Sequence, residues 1–148
     1  MGEILNERQY RITKSWLRQF EQKLEEAKTN PDGLSPRMHR AILESKQSQI
    51  DDFKRELAKY ETLKGLDPEE LTVQSLEELP TMLVKMRIVR GLTQRELAKR
   101  MNVKEQQIQR YEAERYKNAS YQRILEVAQA LNVDVQPTAF RNSNQRSL

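Results

Sequence analysis

The sequence predicts an all-α chain in which a long antiparallel helical hairpin precedes a group of shorter helices. Apolar residues recur at alternating intervals of three and four along residues 10–27, as they do on one face of a helix. Turn-forming residues interrupt the apolar patterns at residues 30–33 and 65–68. The chain is 32% charged and only 36% hydrophobic, which is typical of solvated helices with narrow apolar seams.

The hairpin is predicted over residues 1–64. Asn6, together with Gln9, can cap its first helix, and Ser35 can cap the second, which has Pro36 at its first position. The first apolar seam comprises Tyr10, Thr13, Leu17, Phe20, Leu24 and Ala27. The second and weaker seam comprises Ile42, Gln49 or Ile50, Phe53, Leu57, Tyr60 and Leu63. Because the connection between the helices is short, we expect them to lie antiparallel.

An acidic linker is predicted over residues 65–79, since residues 65–80 hold five Asp/Glu and no Lys or Arg. Residues 71–73 and 133–135 alternate as short strands do, and they could pair as a small two-stranded ribbon. Residues 137–148 are expected to form a flexible tail.

Residues 92–112, LTQRELAKRMNVKEQQIQRYE, predict two short helices joined by a tight turn. Thr93 and Glu96 have the spacing of a capping box, and Asn102 tolerates the positive φ that a turn requires. Ala98 is small enough for the two helices to cross closely at a steep angle, as in DNA-binding motifs.

A helix over residues 81–90 is predicted before this motif, with Pro80 at its start and Gly91 closing it. Ser120 is expected to cap a last helix that runs to about residue 131. The core-facing residues predicted in that helix are Ile124, Leu125, Ala128 and Leu131.

The motif resembles the helix-turn-helix of XRE-type (phage-repressor-like) regulators, in the Thr-Gln pair that opens its first helix and the Tyr-Glu pair that ends its second. The resemblance covers residues 80–133, a little over a third of the chain. It implies a lambda-repressor-like helix-turn-helix domain, which we place at residues 80–136. Arg87 and Glu112 are similar to an ion pair of that superfamily, and the resemblance implies a structural role for them.

The helix over residues 104–113 is the one that this resemblance places in the major groove of DNA. Ile108 and Tyr111 mark its buried direction. The predicted base-reading residues lie opposite or at the edge: Glu105, Gln106, Gln109 and Arg110. Gln can pair with adenine and Arg with guanine, and a carboxylate can accept from cytosine. Glu105 equally suits the positive end of the helix dipole.

The predicted phosphate-binding residues are Gln94, Lys104, Arg115 and Lys117. Gln94, Arg115 and Lys117 follow from the resemblance. Lys104 departs from it, because Ser or Thr usually stands there as the N-cap, and losing that cap costs about 1 kcal/mol. Residues 81–148 hold 13 Lys/Arg and six Asp/Glu, a net charge of +7 within a chain of +4. This charge suits a phosphate-binding surface, although a merely solvated surface explains it equally well.

Other functional classes find little support in the sequence. The chain has no cysteine and a single histidine, His39, so we expect no metal site and no cofactor. It has no Gly-rich phosphate loop or nucleophile motif, and we predict that it is not an enzyme. No apolar run approaches the ~18 residues of a membrane span, and a cytoplasmic location is expected.

The predicted function is sequence-specific binding of double-stranded DNA by a homodimeric repressor. The alternative is the antitoxin of a type II toxin–antitoxin module, since a helical region ahead of such a domain resembles HigA-type antitoxins in architecture. That protein would neutralise a toxin through its N-terminal region and autoregulate its operon. The hairpin seams, with Trp16, could pack on a second copy, on a toxin, or only on each other and on the helix-turn-helix.

Overall fold

A computed structural model describes residues 2–133, and within that range all regular structure is helical. The helices are α1 (Glu7–Lys28), α2 (Pro36–Lys64), α3 (Leu79–Val89), α4 (Gln94–Met101), α5 (Glu105–Ala113) and α6 (Tyr121–Ala130). Two 3-10 turns, Pro68–Glu70 and Leu76–Glu78, lie between α2 and α3. The all-α prediction is therefore confirmed. None of the helices in this range is long and apolar enough to cross a membrane.

The predicted ribbon does not form where the structure describes it. Residues 71–73 are irregular, and Leu71 packs against the apolar core without a neighbouring strand. Two of the three residues of the proposed partner strand, 134 and 135, lie outside the described residues, as does the predicted tail over residues 137–148. The sequence alternation at 71–73 thus reflects partial burial of Leu71 and Val73 rather than strand pairing.

The helical hairpin forms with the predicted caps. The Asn6 side chain accepts from the Gln9 amide at 2.8 Å, and the Ser35 hydroxyl accepts from the Met38 amide at 3.3 Å. In the turn, Asn30 adopts a positive φ of 52°, which Asn tolerates better than most residues. Across the turn, Nε2 of His39 lies 2.7 Å from the carbonyl oxygen of Ala27. The single histidine therefore ties the two helices together at the tip of the hairpin.

Aromatic contacts fill the seam between α1 and α2. Phe53 meets Phe20 edge-on, with ring centroids 5.2 Å apart, and the rings of Tyr10 and Tyr60 lie 5.1 Å apart. The sequence left open whether Gln49 or Ile50 belongs to the second seam; Ile50 is buried and Gln49 is exposed, so Ile50 is the seam residue. Ile42 was predicted in the seam but is 37% exposed, because it lies near the tip, where the hairpin offers few neighbours.

One apolar core joins the base of the hairpin to the shorter helices. Leu57, Tyr60 and Leu63 of α2 belong to the same buried cluster as the core residues of α3 to α6, and so does Ile4 before α1. The hairpin therefore packs both on itself and on the helix-turn-helix. That its seams also pack on a second copy or on a toxin stays a prediction. Its base cannot be removed without exposing this shared core.

The core face of α6 differs from the prediction at one position. Leu125 is 36% exposed, whereas Val127 is completely buried. The covered stripe comprises the half-buried residue 124 and the buried residues 127, 128 and 131, which follow the three-four spacing of a helix, and residue 125 falls at its edge. The side of α6 that faces the core is therefore centred nearer Val127 and farther from Leu125 than the sequence suggested.

Candidate DNA-binding site

The α4–turn–α5 unit has the geometry that its sequence predicted. The Thr93 hydroxyl accepts from the Glu96 amide at 3.1 Å, and the Glu96 carboxylate accepts from the Thr93 amide at 2.7 Å. Asn102 ends α4 in the left-handed conformation, with φ of 54°. Leu97 and Ile108 are completely buried where the two helices meet. The capping box thus fixes where α4 begins, and Asn102 ends α4 so that α5 can start after a short turn.

The capping box also sets the charge at the start of α4. The Thr93 backbone amide, followed by the Thr93 hydroxyl, holds the pKa of the Glu96 carboxyl below its usual value of 4.5. Glu96 is therefore negatively charged at neutral pH beside the positive end of the α4 dipole, where a carboxylate is stabilising.

A buried ion pair joins α5 to α3 beneath the candidate site. The Arg87 guanidinium of α3 donates to both carboxylate oxygens of Glu112 in α5, at 2.6 and 3.0 Å. Its remaining donors reach the carbonyl oxygens of Leu92, at 2.8 Å, and Leu5, at 2.7 Å. Gln94 adds a further donor to Glu112 at 2.7 Å. Every side-chain nitrogen of Arg87 and both carboxylate oxygens of Glu112 thus have a hydrogen-bond partner, as buried charges require.

The outer face of α5 brings the predicted base-reading residues together. Glu105, Gln106, Gln109 and Arg110 are all exposed. The Gln109 amide donates to the Glu105 carboxylate at 3.4 Å, one helical turn away. The Arg110 guanidinium carbon lies 5.9 Å from the ring centre of Tyr111. Amide, carboxylate and guanidinium groups therefore share one solvent-facing surface that could meet base edges.

The predicted phosphate-binding residues occupy three places around α5. Lys104 is exposed at the N-cap and makes no side-chain capping bond, as expected. Gln94 is half-buried, and its amide nitrogen keeps one hydrogen free beyond the bond to Glu112. Arg115 and Lys117 are exposed in the loop after α5. Lys104 thus precedes α5, Arg115 and Lys117 follow it, and Gln94 contacts its last turn through Glu112.

Sequence reasoning missed Tyr116, the residue that shapes this loop. Its ring stacks on Tyr111, with centroids 5.9 Å apart, and its side chain is buried. Burial raises the pKa of the Tyr116 phenol above its usual value of 10. Arg115 and Tyr116 both adopt positive φ, of 52° and 56°, which is unusual for residues other than Gly or Asn. The buried ring holds this backbone in place and leaves Arg115 and Lys117 facing solvent on either side.

Comparison with known proteins places a helix-turn-helix at this site. Residues 83–137 match the model of a helix-turn-helix family. Comparison with curated proteins and comparison with solved structures each give no match. The family match supports an XRE-type helix-turn-helix regulator, and hence a DNA-binding regulator of transcription. In the part of the chain that the structure describes, no three acidic or histidine side chains come together in a way that could hold a metal ion.

Proposed function

We propose that the chain is a sequence-specific repressor that binds double-stranded DNA and reads the major groove with α5. The observation that carries this proposal is the outer face of α5, where four exposed hydrogen-bonding side chains lie opposite the buried Ile108 and Tyr111 or at the edge of that face. A major groove admits one helix, so three or four such side chains suffice to read a half-site.

Each side chain on that face has a role that its chemistry supports. Arg110 can donate two hydrogen bonds to guanine, and Gln106 and Gln109 can each pair with adenine through both amide atoms. Glu105 can accept from cytosine, or it can instead interact with the helix dipole and with the Gln109 amide. The proposed phosphate contacts are Gln94, Lys104, Arg115 and Lys117.

The repressor would act as a homodimer, because one copy of α5 reads only a half-site. Two half-sites lie about one helical turn apart, so a second copy must be held at that distance. Apolar side chains that remain exposed are available for such a contact, on the hairpin and on α6. They include Ile12, Trp16, Tyr121 and Leu125, which are 36–75% exposed.

A binding experiment on the full chain tests the main proposal. A duplex selected by the protein from a random pool is titrated at several salt concentrations. If about five to eight phosphates are neutralised per dimer, the logarithm of the binding constant falls with the logarithm of salt concentration at a slope of about −5 to −7. Failure to enrich any sequence, or affinity that does not change with salt, would contradict the proposal.

An antitoxin is the second candidate, and exposed apolar side chains on the hairpin favour it. Trp16 is 44% exposed and Ile12 is 39% exposed on α1, outside the helix-turn-helix. A protein partner could cover them. The test is to co-purify the full chain with its partner and to express that partner alone. An antitoxin predicts a partner that stops growth unless this chain is co-expressed, and a Trp16→Ser variant that restores growth less well than a Met38→Ser control.

A further inference from the structure

The cleft beside α5 has a wall that belongs to the hairpin. Its volume is about 780 Å³, and it separates the first two turns of α1 from the start of α4 and the near edge of α5. Arg8 and Arg11 line the α1 side, and Arg95 and Gln109 line the opposite side. Two arginines from outside the helix-turn-helix therefore face the same opening as a predicted base-reading residue.

The α1 wall is fixed to the site. The Leu5 carbonyl accepts from Arg87 at 2.7 Å, and Arg87 is the residue that also holds Glu112 of α5. Ile4 is buried in the shared core, with 4% of its surface exposed. Because these contacts lie directly before α1, the helix begins at a defined place beside the DNA-binding surface.

The cleft carries unpaired positive charge. The acids Glu7 and Glu112 also line the cleft, but each already has a basic partner. Nζ of Lys64 lies 2.6 Å from Oε1 of Glu7, and Nε of Arg87 lies 2.6 Å from Oε1 of Glu112. Glu105 is the remaining acid and accepts from an amide. Three exposed arginines of the cleft form no ion pair within residues 2–133: Arg8, Arg11 and Arg95.

A nucleic-acid strand is the occupant that this charge and position favour. When one helix of the motif lies in the major groove, the helix before it crosses the sugar-phosphate backbone. Here that helix is α4, and the cleft opens at its first residues, Gln94 and Arg95. The backbone that passes α4 therefore has α1 on its far side.

We propose that α1 is part of the DNA-binding surface and that Arg8 and Arg11 bind phosphates of the strand bordering the groove read by α5. The proposal rests on the proposed DNA binding and extends it to a helix outside the matched helix-turn-helix. Guanidinium groups suit this role because their planar donors match phosphate oxygens. Such contacts strengthen binding without selecting a sequence.

The experiment compares two double variants of the full chain. Arg8→Gln/Arg11→Gln removes the proposed contacts, and Arg37→Gln/Arg40→Gln is the matched control. Both pairs are exposed, are spaced three residues apart and lie in the first two turns of a long helix. Both changes remove two positive charges, but the control pair lies at the opposite end of the hairpin. Circular dichroism melting verifies that each variant is folded.

Each phosphate contact contributes about 0.9 to the salt slope, so we expect Arg8→Gln/Arg11→Gln to make the slope shallower by about 1.8 per protomer. Affinity should fall by the same factor on a selected duplex and on a mixed-sequence duplex of equal length. The control should retain the slope of the unaltered protein.

The outcomes separate this proposal from the one on which it rests. If the unaltered protein binds no duplex, both proposals fail. If it binds and the two double variants show the same slope, the role of α1 is overturned while DNA binding stands. Equal slopes with loss of a co-purifying protein only in Arg8→Gln/Arg11→Gln would assign the cleft to an acidic protein partner and would equally overturn the proposal.

Discussion

Arg87 and Glu112 form a two-pronged ion pair in which each side chain is only 3% exposed, with N–O distances of 2.6 and 3.0 Å. The pair joins α3 to the end of α5. Through the bond from Arg87 to the Leu5 carbonyl, it also reaches the segment before α1. Arg87 is 25 positions from Glu112 and 82 positions from Leu5 in the sequence, so the position of α5 depends on contacts between distant parts of the chain.

Replacing Arg87 with Ala should destabilise the protein by about 3–5 kcal/mol, because the Glu112 carboxylate would remain buried without its partner. Urea unfolding measures this loss. Adding Glu112→Gln to that variant should recover part of the stability, since the neutral amide costs less to bury. Additive losses in the double-mutant cycle would show that the two side chains do not interact.

An exposed ion pair provides the control for that experiment. Glu7 and Lys64 lie 2.6 Å apart but are nearly half exposed. Because solvent screens such a pair, Lys64→Ala should cost at most about 1 kcal/mol. A loss as large as that of Arg87→Ala would mean that burial is not the reason for the cost of breaking the Arg87–Glu112 pair.

The stability of the protein should depend on Glu96 in acid. The pKa of Glu96 is lowered in the folded protein, so its carboxylate stabilises the fold above the ordinary value of 4.5. That contribution is lost as pH falls below 4.5 and through the folded pKa. Glu96→Gln can still accept from the Thr93 amide but does not titrate. Its unfolding free energy should therefore fall less steeply with acid than that of the unaltered protein, and equal slopes would contradict the prediction.

Lys104→Ser should separate stability from DNA binding. Serine can accept from the free amides at the start of α5, so the variant should be more stable by about 1 kcal/mol in urea unfolding. If Lys104 contacts phosphate, the same variant should show a salt slope shallower by about 0.9 per protomer. A gain in stability with no change in the salt slope would show that Lys104 does not contact phosphate.

Arg110 and Lys117 should affect DNA binding in different ways. Arg110→Ala should reduce discrimination between selected and mixed-sequence duplexes by about 1–3 kcal/mol per half-site, because a base contact is lost. Lys117→Ala should weaken binding to both duplexes by the same factor, because a phosphate contact carries no sequence information. Equal weakening of both duplexes by Arg110→Ala would remove it from the base-reading surface.

The local elements of this protein could be predicted from its sequence because short-range interactions specify them. The caps at Asn6, Ser35, Thr93 and Ser120 all form as predicted. The left-handed Asn102 also lies where the spacing required it. Each of these features depends on residues within about one helical turn, so the sequence window contains the whole interaction.

The outer face of α5 was also predictable, because a period of 3.6 residues fixes which side chains oppose Ile108 and Tyr111. What those side chains bind remains a prediction. Leu125 was not predictable in this way, because helical periodicity gives a stripe but the packing of neighbouring helices decides which edge of the stripe is covered.

The tertiary structure alone decided how the two halves of the chain meet. The sequence contains no local signal that Ile4 and Tyr60 share a core with α3 to α6, or that Arg87 binds the carbonyl of Leu5. It also does not show that Arg8 and Arg11 face Gln109 across a cleft. These relationships join residues far apart in the chain, and they arise because the apolar base of the hairpin is buried most completely against the helix-turn-helix. The hydrophobic effect is non-directional and depends only on the apolar area that is buried. The sequence therefore does not specify which distant apolar surfaces meet, and the folded chain does.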